Sequence, residues 1–232
     1  MRKSVRHIVP CSTESAARRS FSHWSVSSSL GAHRTFLIAG ALACATGRTK
    51  LLEDILISAR RARVRRTAME EALLQCYLFA GFPRAIEGLT VLHTHWPGSA
   101  RRAHSAPGSL RARGTRLCRE VYGKNFKPLM RNMSAIHPDL ADWLILEGYG
   151  KVLSRKGLDV ITRELCAACV LASLPAPRQL EAHLTGALNV GATRQQLKDA
   201  ISLVSLACGV RVFNKSQAQH QRHGSRKRPA RA

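Results

Sequence analysis

A chain of 232 residues, 45% of them apolar and with a mean hydropathy of −0.14, is long enough for a sizeable core, and no apolar run reaches the roughly 20 residues that span a bilayer. Only 5% of the residues are aromatic, and an apolar set dominated by Ala and Leu favours helices over sheets. The net charge of +23 would suit a nucleic-acid-binding protein, but the excess lies in the two tails and in short basic runs, where solvated charge is the simpler interpretation.

The first 32 residues are rich in Ser and Arg and poor in acids, which is typical of a disordered extension. Transit peptides have a similar composition, so organelle targeting is an alternative to the cytoplasmic location that we expect. The cysteines number seven, an odd count, and most lie in apolar helical patterns. They indicate reduced thiols in a reducing compartment and not a disulfide framework.

Residues 33–92 are predicted to form a first helical unit, and residues 117–214 a second unit that is its internal duplicate. At an offset of 128 positions, residues 37–82 align with residues 165–210 without a gap. Identity is low, but the apolar rhythm largely agrees between the two stretches. The coincident pairs are Leu37/Leu165, Ala39/Ala167, Leu52/Leu180, Glu53/Glu181, Leu56/Leu184, Ala59/Ala187, Arg66/Arg194, Ala72/Ala200 and Gly81/Gly209.

Each unit is predicted to contain three helices, and in the first unit Gly81 and Pro83 are expected to end the third. The Gly-, Pro-, Ser- and Arg-rich segment 93–116 is predicted to be a long loop. A further helix is predicted over residues 137–157, because Pro138 suits a first helical turn.

The helices of the second unit carry clear end signals. Asp159 is expected to cap the first helix, which a proline pair at positions 175 and 177 ends. Apolar residues at three- and four-residue steps predict a second helix ending near Gly191. The sequence TRQQ, residues 193–196, has the capping-box pattern and begins the third. The basic tail 215–232 is predicted to be disordered, and the fold class is all-α.

The stretch RELCAACVLAS, residues 163–173, contains two cysteines at the spacing of redox dithiols and of half a zinc site. Cys166 and Cys169 lie inside an unbroken run of small and apolar residues, which offers neither the exposure nor the positive surroundings that form a thiolate. No second pair with zinc-ligand spacing occurs in the sequence. We therefore expect the two thiols to be buried packing groups.

A different constellation begins at Glu164. Eleven residues separate it from Ala176, two more lead to Gln179, and three more to His183. The pattern resembles the carboxymuconolactone decarboxylase family and its alkylhydroperoxidase D-type peroxidase relatives, whose peroxidase branch is identified by Glu-x11-Cys-x2-Cys-x3-His. Here the outer members are present and the two cysteine positions hold Ala and Gln. The likeness extends over residues 33–214 and includes LDVITREL, EAHLTGALNVGATRQQL, EGYGKVLSRKGLD and ALLQCYLFAGFPRAIEGL.

This resemblance implies a duplicated helical bundle that acts on a small carboxylate substrate without metal or organic cofactor and assembles as a trimer or hexamer. The implied reaction is decarboxylation of a lactone, in which His183 transfers the proton and Glu164 orients the His183 ring. Arg155 and Arg163 are candidates for binding the substrate carboxylate, with ordinary solvation at helix ends as the alternative. The pocket walls are expected to include Trp143 and Tyr149, although a Trp at helical spacing is more often a core residue.

The first unit provides an internal comparison, because Phe36 and Ile55 stand at the positions equivalent to Glu164 and His183. We therefore expect one structural unit and one unit that carries the site. Two other functions stay open. One is a thiol-dependent peroxidase that uses other cysteines, and the other is a non-catalytic protein whose basic tails bind nucleic acid or another polyanion without sequence specificity.

Overall fold

The computed structural model describes residues 28–98 and 109–208, and the regular structure within these ranges is helical, without a strand. This confirms the all-α prediction. The predicted disordered tail, and the extension up to residue 27, lie outside the described residues. In chain order the helices are α1 (Gly31–Ala45), α2 (Thr49–Arg61), α3 (Arg66–Leu74), α4 (Tyr77–His95), α5 (Leu110–Tyr122), α6 (Phe126–Ile136), α7 (Pro138–Trp143), a π-helix (Leu144–Leu153), α8 (Val160–Ser173), α9 (Pro177–Asn189) and α10 (Arg194–Cys208); a short 3₁₀ turn, Gly123–Asn125, joins α5 to α6.

The predicted helix ends of the second unit are observed. The Asp159 carboxylate accepts a hydrogen bond from the Thr162 backbone N–H at 2.9 Å and so caps α8. Thr193 and Gln196 form the reciprocal capping box of α10, with bonds of 3.1 and 2.9 Å. Gly191, with a φ of +103°, follows the end of α9.

Two boundaries differ from prediction. Helix α3, the counterpart of α10, was predicted to end at Gly81 and Pro83 but ends at Leu74. Helix α4 continues past Gly81, where a φ of 82° and a ψ of 167° introduce a kink before Pro83. The segment predicted as a loop over 93–116 includes the end of α4 and the first half of α5. Ser109 caps α5 by accepting from the Ala112 N–H.

Gly114, which favoured the loop interpretation, instead allows two helices to touch. A Cβ atom on Gly114 would lie 2.1 Å from the carbonyl oxygen of Ile145 and 2.9 Å from the backbone nitrogen of Gly150. The α5 backbone therefore lies directly against the π-helix, and glycine serves close packing here and not chain flexibility.

The three helices α1 to α3 correspond in position to α8 to α10. The first two end 128 residues before their counterparts, and α2 and α3 also begin 128 residues before α9 and α10. The agreement supports the duplication, which stays a prediction of the sequence.

Helices α1 and α8 are the central elements of the bundle, and α8 packs against α1, α9 and α10. Every residue from 35 to 45 and from 162 to 172 is buried. Such helices have no solvent face, so their Ala- and Leu-rich composition follows from their position. A smaller apolar cluster joins α5 to the π-helix through Cys118, Val121, Ile145, Tyr149 and Leu153. In the part of the chain that the structure describes, every helix is too short or too polar to cross a membrane.

Candidate functional site

Glu164 and His183 meet between α8 and α9. The His183 Nδ1 lies 2.8 Å from Glu164 Oε2, and His183 is 8% exposed and Glu164 1% exposed. Glu164 occupies the second turn of the fully buried helix α8, so its carboxylate can reach water only through its neighbours. A buried carboxylate requires a partner, and the imidazole provides one. The structure thus brings together the two side chains that the sequence spacing selected.

The other ring nitrogen of His183 makes no hydrogen bond to any residue in the described ranges. An ionised carboxylate can only accept, so with Glu164 in that form Nδ1 donates to it and Nε2 has no partner among the described residues. The ring is held from the side by Phe79, whose ring is perpendicular to it at a centroid distance of 5.3 Å. The imidazole therefore has a fixed orientation and one open nitrogen.

Gly186 makes room for this pair. A Cβ atom at this position would lie 2.8 Å from Glu164 Oε2 and 2.6 Å from Val121 Cγ1. The absence of a side chain on α9 therefore lets the Glu164 carboxylate lie between α9 and α5. The sequence did not single out this glycine, because a single Gly within a helical pattern carries no distinguishing signal.

Three further ionisable groups surround Glu164. Burial raises the pKa of Cys118 to about 12, and the Glu164 charge adds to the increase. Burial also raises the pKa of Tyr122 to about 12, and that of Tyr149 well above its ordinary value, with Glu164 as the next contributor for Tyr149. The two tyrosine rings pack edge to face at 6.2 Å. All three side chains are therefore neutral hydrogen-bond donors at neutral pH.

The two predicted carboxylate-binding arginines lie elsewhere and share Glu71. Arg155 donates from Nε to both Glu71 oxygens at 3.0 Å, and Arg163, 1% exposed, donates from Nη2 at 2.8 Å. Arg163 also donates to the side chain of Gln75 at 3.2 Å. These bonds join α3 in the first unit to the second unit, so the geometry gives both arginines a structural partner in place of a substrate.

The two predicted aromatic wall residues are placed differently. Tyr149 is 2% exposed and lies close enough to Glu164 for that carboxylate to raise its pKa, and its place in a pocket wall stays a prediction. Trp143 is 61% exposed at the end of α7, so it neither lines an enclosed site nor belongs to the core. The helical pattern placed Trp143 on an apolar face, but it could not show that no described residue covers this side chain.

The cysteine pair is buried as predicted. Cys166 and Cys169 are fully inaccessible, and the Cys169 thiol donates to the Ala200 carbonyl oxygen at 3.1 Å. Burial raises the pKa of Cys166 to about 12. The residues at the peroxidase cysteine positions, Ala176 and Gln179, lie at the start of α9. Over the described part of the chain, no three His, Cys, Asp or Glu side chains are grouped so that they could hold a metal ion.

We call Glu164 with its neighbours Cys118, Val121, Tyr122 and Tyr149 the Glu164 cluster. A hollow of about 290 Å³ lies beside it, between α5, α6 and α9. It shares Val121 and Tyr122 with that cluster, and its polar lining includes Arg178 and two Asn side chains. The full lining is Val121, Tyr122, Asn125, Pro128, Leu129, Asn132, Arg178, Glu181, Ala182 and Thr185. A cavity of this size accommodates a small organic acid.

Comparison with known proteins identifies the family of this chain. The Carboxymuconolactone decarboxylase family matches residues 138–218. Peroxisomal protein 2 of Schizosaccharomyces pombe is 32% identical over 150 residues, which are 61% of this chain and 70% of that protein. The 4-carboxymuconolactone decarboxylase of Acinetobacter baylyi is 31% identical over 102 residues, 44% of this chain and 76% of the enzyme. Peroxisomal protein 2 of Saccharomyces cerevisiae is 27% identical over 176 residues, 60% of this chain and 61% of that protein. The chain therefore belongs to the carboxymuconolactone decarboxylase family.

Proposed function

We propose that this protein catalyses decarboxylation, or a closely related proton transfer, on a small carboxylated lactone or keto acid. The observation that carries the proposal is the buried 2.8 Å contact between His183 Nδ1 and Glu164 Oε2, which leaves Nε2 open. An imidazole held in this way can take up a proton at Nε2 and return it to carbon. The relative named 4-carboxymuconolactone decarboxylase supports a lactone acid as the substrate class.

The proposed reaction begins when the bond between the substrate carbon and its carboxylate breaks and carbon dioxide leaves. The electron pair of that bond moves into the conjugated lactone and gives a dienolate. His183, protonated on both nitrogens, then donates the Nε2 proton to carbon, and solvent restores it. One proton is consumed for each carbon dioxide released, and no redox step occurs. Glu164 stabilises the imidazolium and fixes its orientation.

The substrate carboxylate needs a cation, and Arg155 and Arg163 are engaged with Glu71. Arg178, in the hollow beside the Glu164 cluster, is the cation that we propose in their place. The same hollow presents apolar surface from Pro128 and Leu129 for the ring of a lactone.

The direct test is carbon dioxide release from 4-carboxymuconolactone by the full-length protein. Wild type should release it, and His183→Ala should lower kcat by about 10²- to 10⁴-fold. Exchange of an exposed histidine, His137→Ala, should leave the rate unchanged. Equal rates for wild type and His183→Ala would remove His183 from the mechanism.

A homo-oligomer is part of this proposal. Several large apolar side chains are exposed in the single chain, including Ile136 at 68% and Phe82 at 63%. Helix α6 has apolar residues on one face and buries none of them fully. Such surfaces are typical of subunit contacts. Light scattering coupled to size-exclusion chromatography should give the mass of a trimer or hexamer, and a monomer would contradict the proposal.

The cytoplasmic location is the second part that needs a direct measurement. Two relatives carry the name Peroxisomal protein 2, which favours the peroxisome as the competing location. Imaging of the full chain, with a fluorescent protein fused at either end, distinguishes the two compartments by overlap with a peroxisomal marker.

A further inference from the structure

The hydroxyl of Tyr149 is fully buried and makes no hydrogen bond of normal length and angle within the described residues, although the Tyr122 side chain lies close enough to affect its pKa. The residue is 2% exposed, and its ring lies in the cluster of Cys118 and Val121. Burial of a hydroxyl without a well-formed hydrogen bond is destabilising, so stable proteins rarely retain one without a reason. The chain has a Tyr at position 149, although a Phe would fill the same space without burying a hydroxyl.

The surroundings of Tyr149 are those of the candidate site. Val121, one cluster partner, and Glu164 Oε2 both lie against the same side of Gly186. Tyr122, the other ring in contact with Tyr149, lines the hollow that Arg178 enters. Tyr149 thus packs against Tyr122, which lines the hollow, and lies close enough to Glu164 for that carboxylate to raise its pKa.

The backbone at Tyr149 is also unusual. The residue lies in the middle of the π-helix, and turns of π-helix occur frequently at functional sites. Gly150, the next residue, approaches the α5 backbone so closely that a Cβ atom would lie 2.3 Å from the Leu110 carbonyl oxygen. The backbone next to Tyr149 is therefore held by close packing of Gly150 against α5.

We propose that the Tyr149 hydroxyl donates a hydrogen bond to the oxygen of a bound lactone enolate and stabilises the dienolate formed when carbon dioxide leaves. This inference rests on the proposed function and identifies the oxyanion-binding group for that reaction. No covalent bond to Tyr149 forms, and its proton stays on the phenol oxygen throughout. Because burial and the Glu164 charge raise the pKa of this phenol well above its ordinary value, the group keeps its proton and is a donor at neutral pH.

The test is Tyr149→Phe, which removes one oxygen atom and keeps the ring. Since that oxygen makes no hydrogen bond of normal geometry with any described residue, the melting temperature should stay the same or rise. The kcat for decarboxylation should fall by about 10²- to 10³-fold, as expected for loss of an oxyanion donor. A loss of activity without a loss of stability is a combination that a merely structural residue would not produce.

A binding measurement separates this inference from the proposed reaction. Tetronic acid is a small lactone that is fully ionised to its enolate at neutral pH, and calorimetry gives its affinity without turnover. Wild type should bind it, and Tyr149→Phe should weaken the binding by about 10- to 100-fold. If wild type binds tetronate through Tyr149 but releases no carbon dioxide, the reaction is wrong and the enolate site stands.

The opposite result is equally decisive. If wild type releases carbon dioxide and Tyr149→Phe matches it in both kcat and tetronate affinity, the hydroxyl serves only a buried water and the inference is overturned. Failure of wild type to bind tetronate overturns it as well. Tyr77→Phe is the matched control, because the Tyr77 hydroxyl already has a protein partner, Glu147. It should leave activity and tetronate affinity unchanged.

Discussion

His183 Nδ1 lies 2.8 Å from Glu164 Oε2, and the same two positions in the first unit hold Ile55 and Phe36, both buried. An acid–base pair in one unit thus corresponds to an apolar pair in the other. Burial of an ion or a polar ring is costly and adds little to a helical core that apolar residues can fill. The pair in the second unit is therefore explained more simply by chemistry than by stability.

Glu164→Gln tests this explanation. The amide oxygen can still accept from Nδ1, but a neutral group no longer stabilises the imidazolium. We expect kcat to fall by about 10²- to 10⁴-fold, with KM changed far less, because the interaction strengthens only when the ring is protonated. Steady-state kinetics on a carboxylated lactone gives both constants.

Glu87→Gln is the control for the Glu164 substitution. This carboxylate is exposed on α4, and its neutralisation should leave kcat unchanged. A Glu164→Gln enzyme with the wild-type kcat would show that orientation of the ring needs no charge, and the role given to Glu164 would have to be withdrawn.

Gly186→Ala should disable the site by steric displacement. The added Cβ would meet Glu164 Oε2 at 2.8 Å and Val121 Cγ1 at 2.6 Å, so either the carboxylate or α5 must move. We expect activity to fall at least about 10-fold, since shifts of an ångström in catalytic groups have large effects on rate. The activity assay and a thermal melt would be performed on the same preparation.

The matched glycine is Gly148, which is also buried and helical but would place its Cβ 4.0 Å from Leu144 Cδ1. Gly148→Ala should keep its activity and gain up to about 1 kcal/mol of stability from the reduced freedom of the unfolded chain. If Gly186→Ala behaves in the same way, the space beside Glu164 is not needed for function.

The resemblance to the family pattern selected Glu164 and His183 in the sequence, and their contact forms because a short connection joins two consecutive helices. Helix α8 ends at Ser173 and α9 begins at Pro177, and such neighbours pack against each other in most bundles. The capping residues Asp159 and Thr193 were predictable for a similar reason, since caps depend on contacts within four residues.

Contacts between distant parts of the chain were not predictable. Arg163 and Glu71 are 92 positions apart, and nothing local distinguishes an arginine that pairs with a buried carboxylate from one that binds a substrate. Gly114 led to the wrong prediction of a loop. A glycine in the sequence is equally compatible with a flexible loop and with a close crossing of two helices, and here it allows the crossing. The exposure of Trp143 depends on which residues pack against α7, and the sequence pattern of α7 does not show this.

Alkaline pH should destabilise the protein. The pKa of Cys166 is raised from 9.0 to about 12 by burial, so between these values its thiol ionises in the unfolded chain only. The folded state then binds more protons than the unfolded state, and the free energy of unfolding falls as pH rises. Below pH 9 this contribution is fully present. Urea midpoints at about pH 8 and about pH 10.5 would measure the loss.

Cys166→Ala isolates the thiol contribution, because alanine cannot ionise. Its urea midpoint should fall less than that of wild type between the two pH values. An equal fall in both proteins would assign the alkaline loss to other groups, of which Cys118 and the buried tyrosines are the nearest candidates. The same burial predicts slow labelling of this thiol by maleimide in the native protein, which a peroxidatic cysteine would not show.

Glu71→Gln should cost more stability than any other single charge removal in the described structure. Glu71 is 4% exposed and binds the guanidinium groups of Arg155 and Arg163, so its neutralisation leaves a buried cation without compensation. Removal of one partner of a buried pair costs about 3–5 kcal/mol, whereas an exposed pair is worth about 0–1 kcal/mol.

Asp142→Asn, which removes the exposed partner of Arg111, is the comparison. Urea denaturation of both variants gives the difference, and equal stabilities would mean that water reaches Arg163. If the arginines bind substrate instead, Glu71→Gln would tighten substrate binding by releasing them, so a lower KM in the surviving folded enzyme would restore their original assignment.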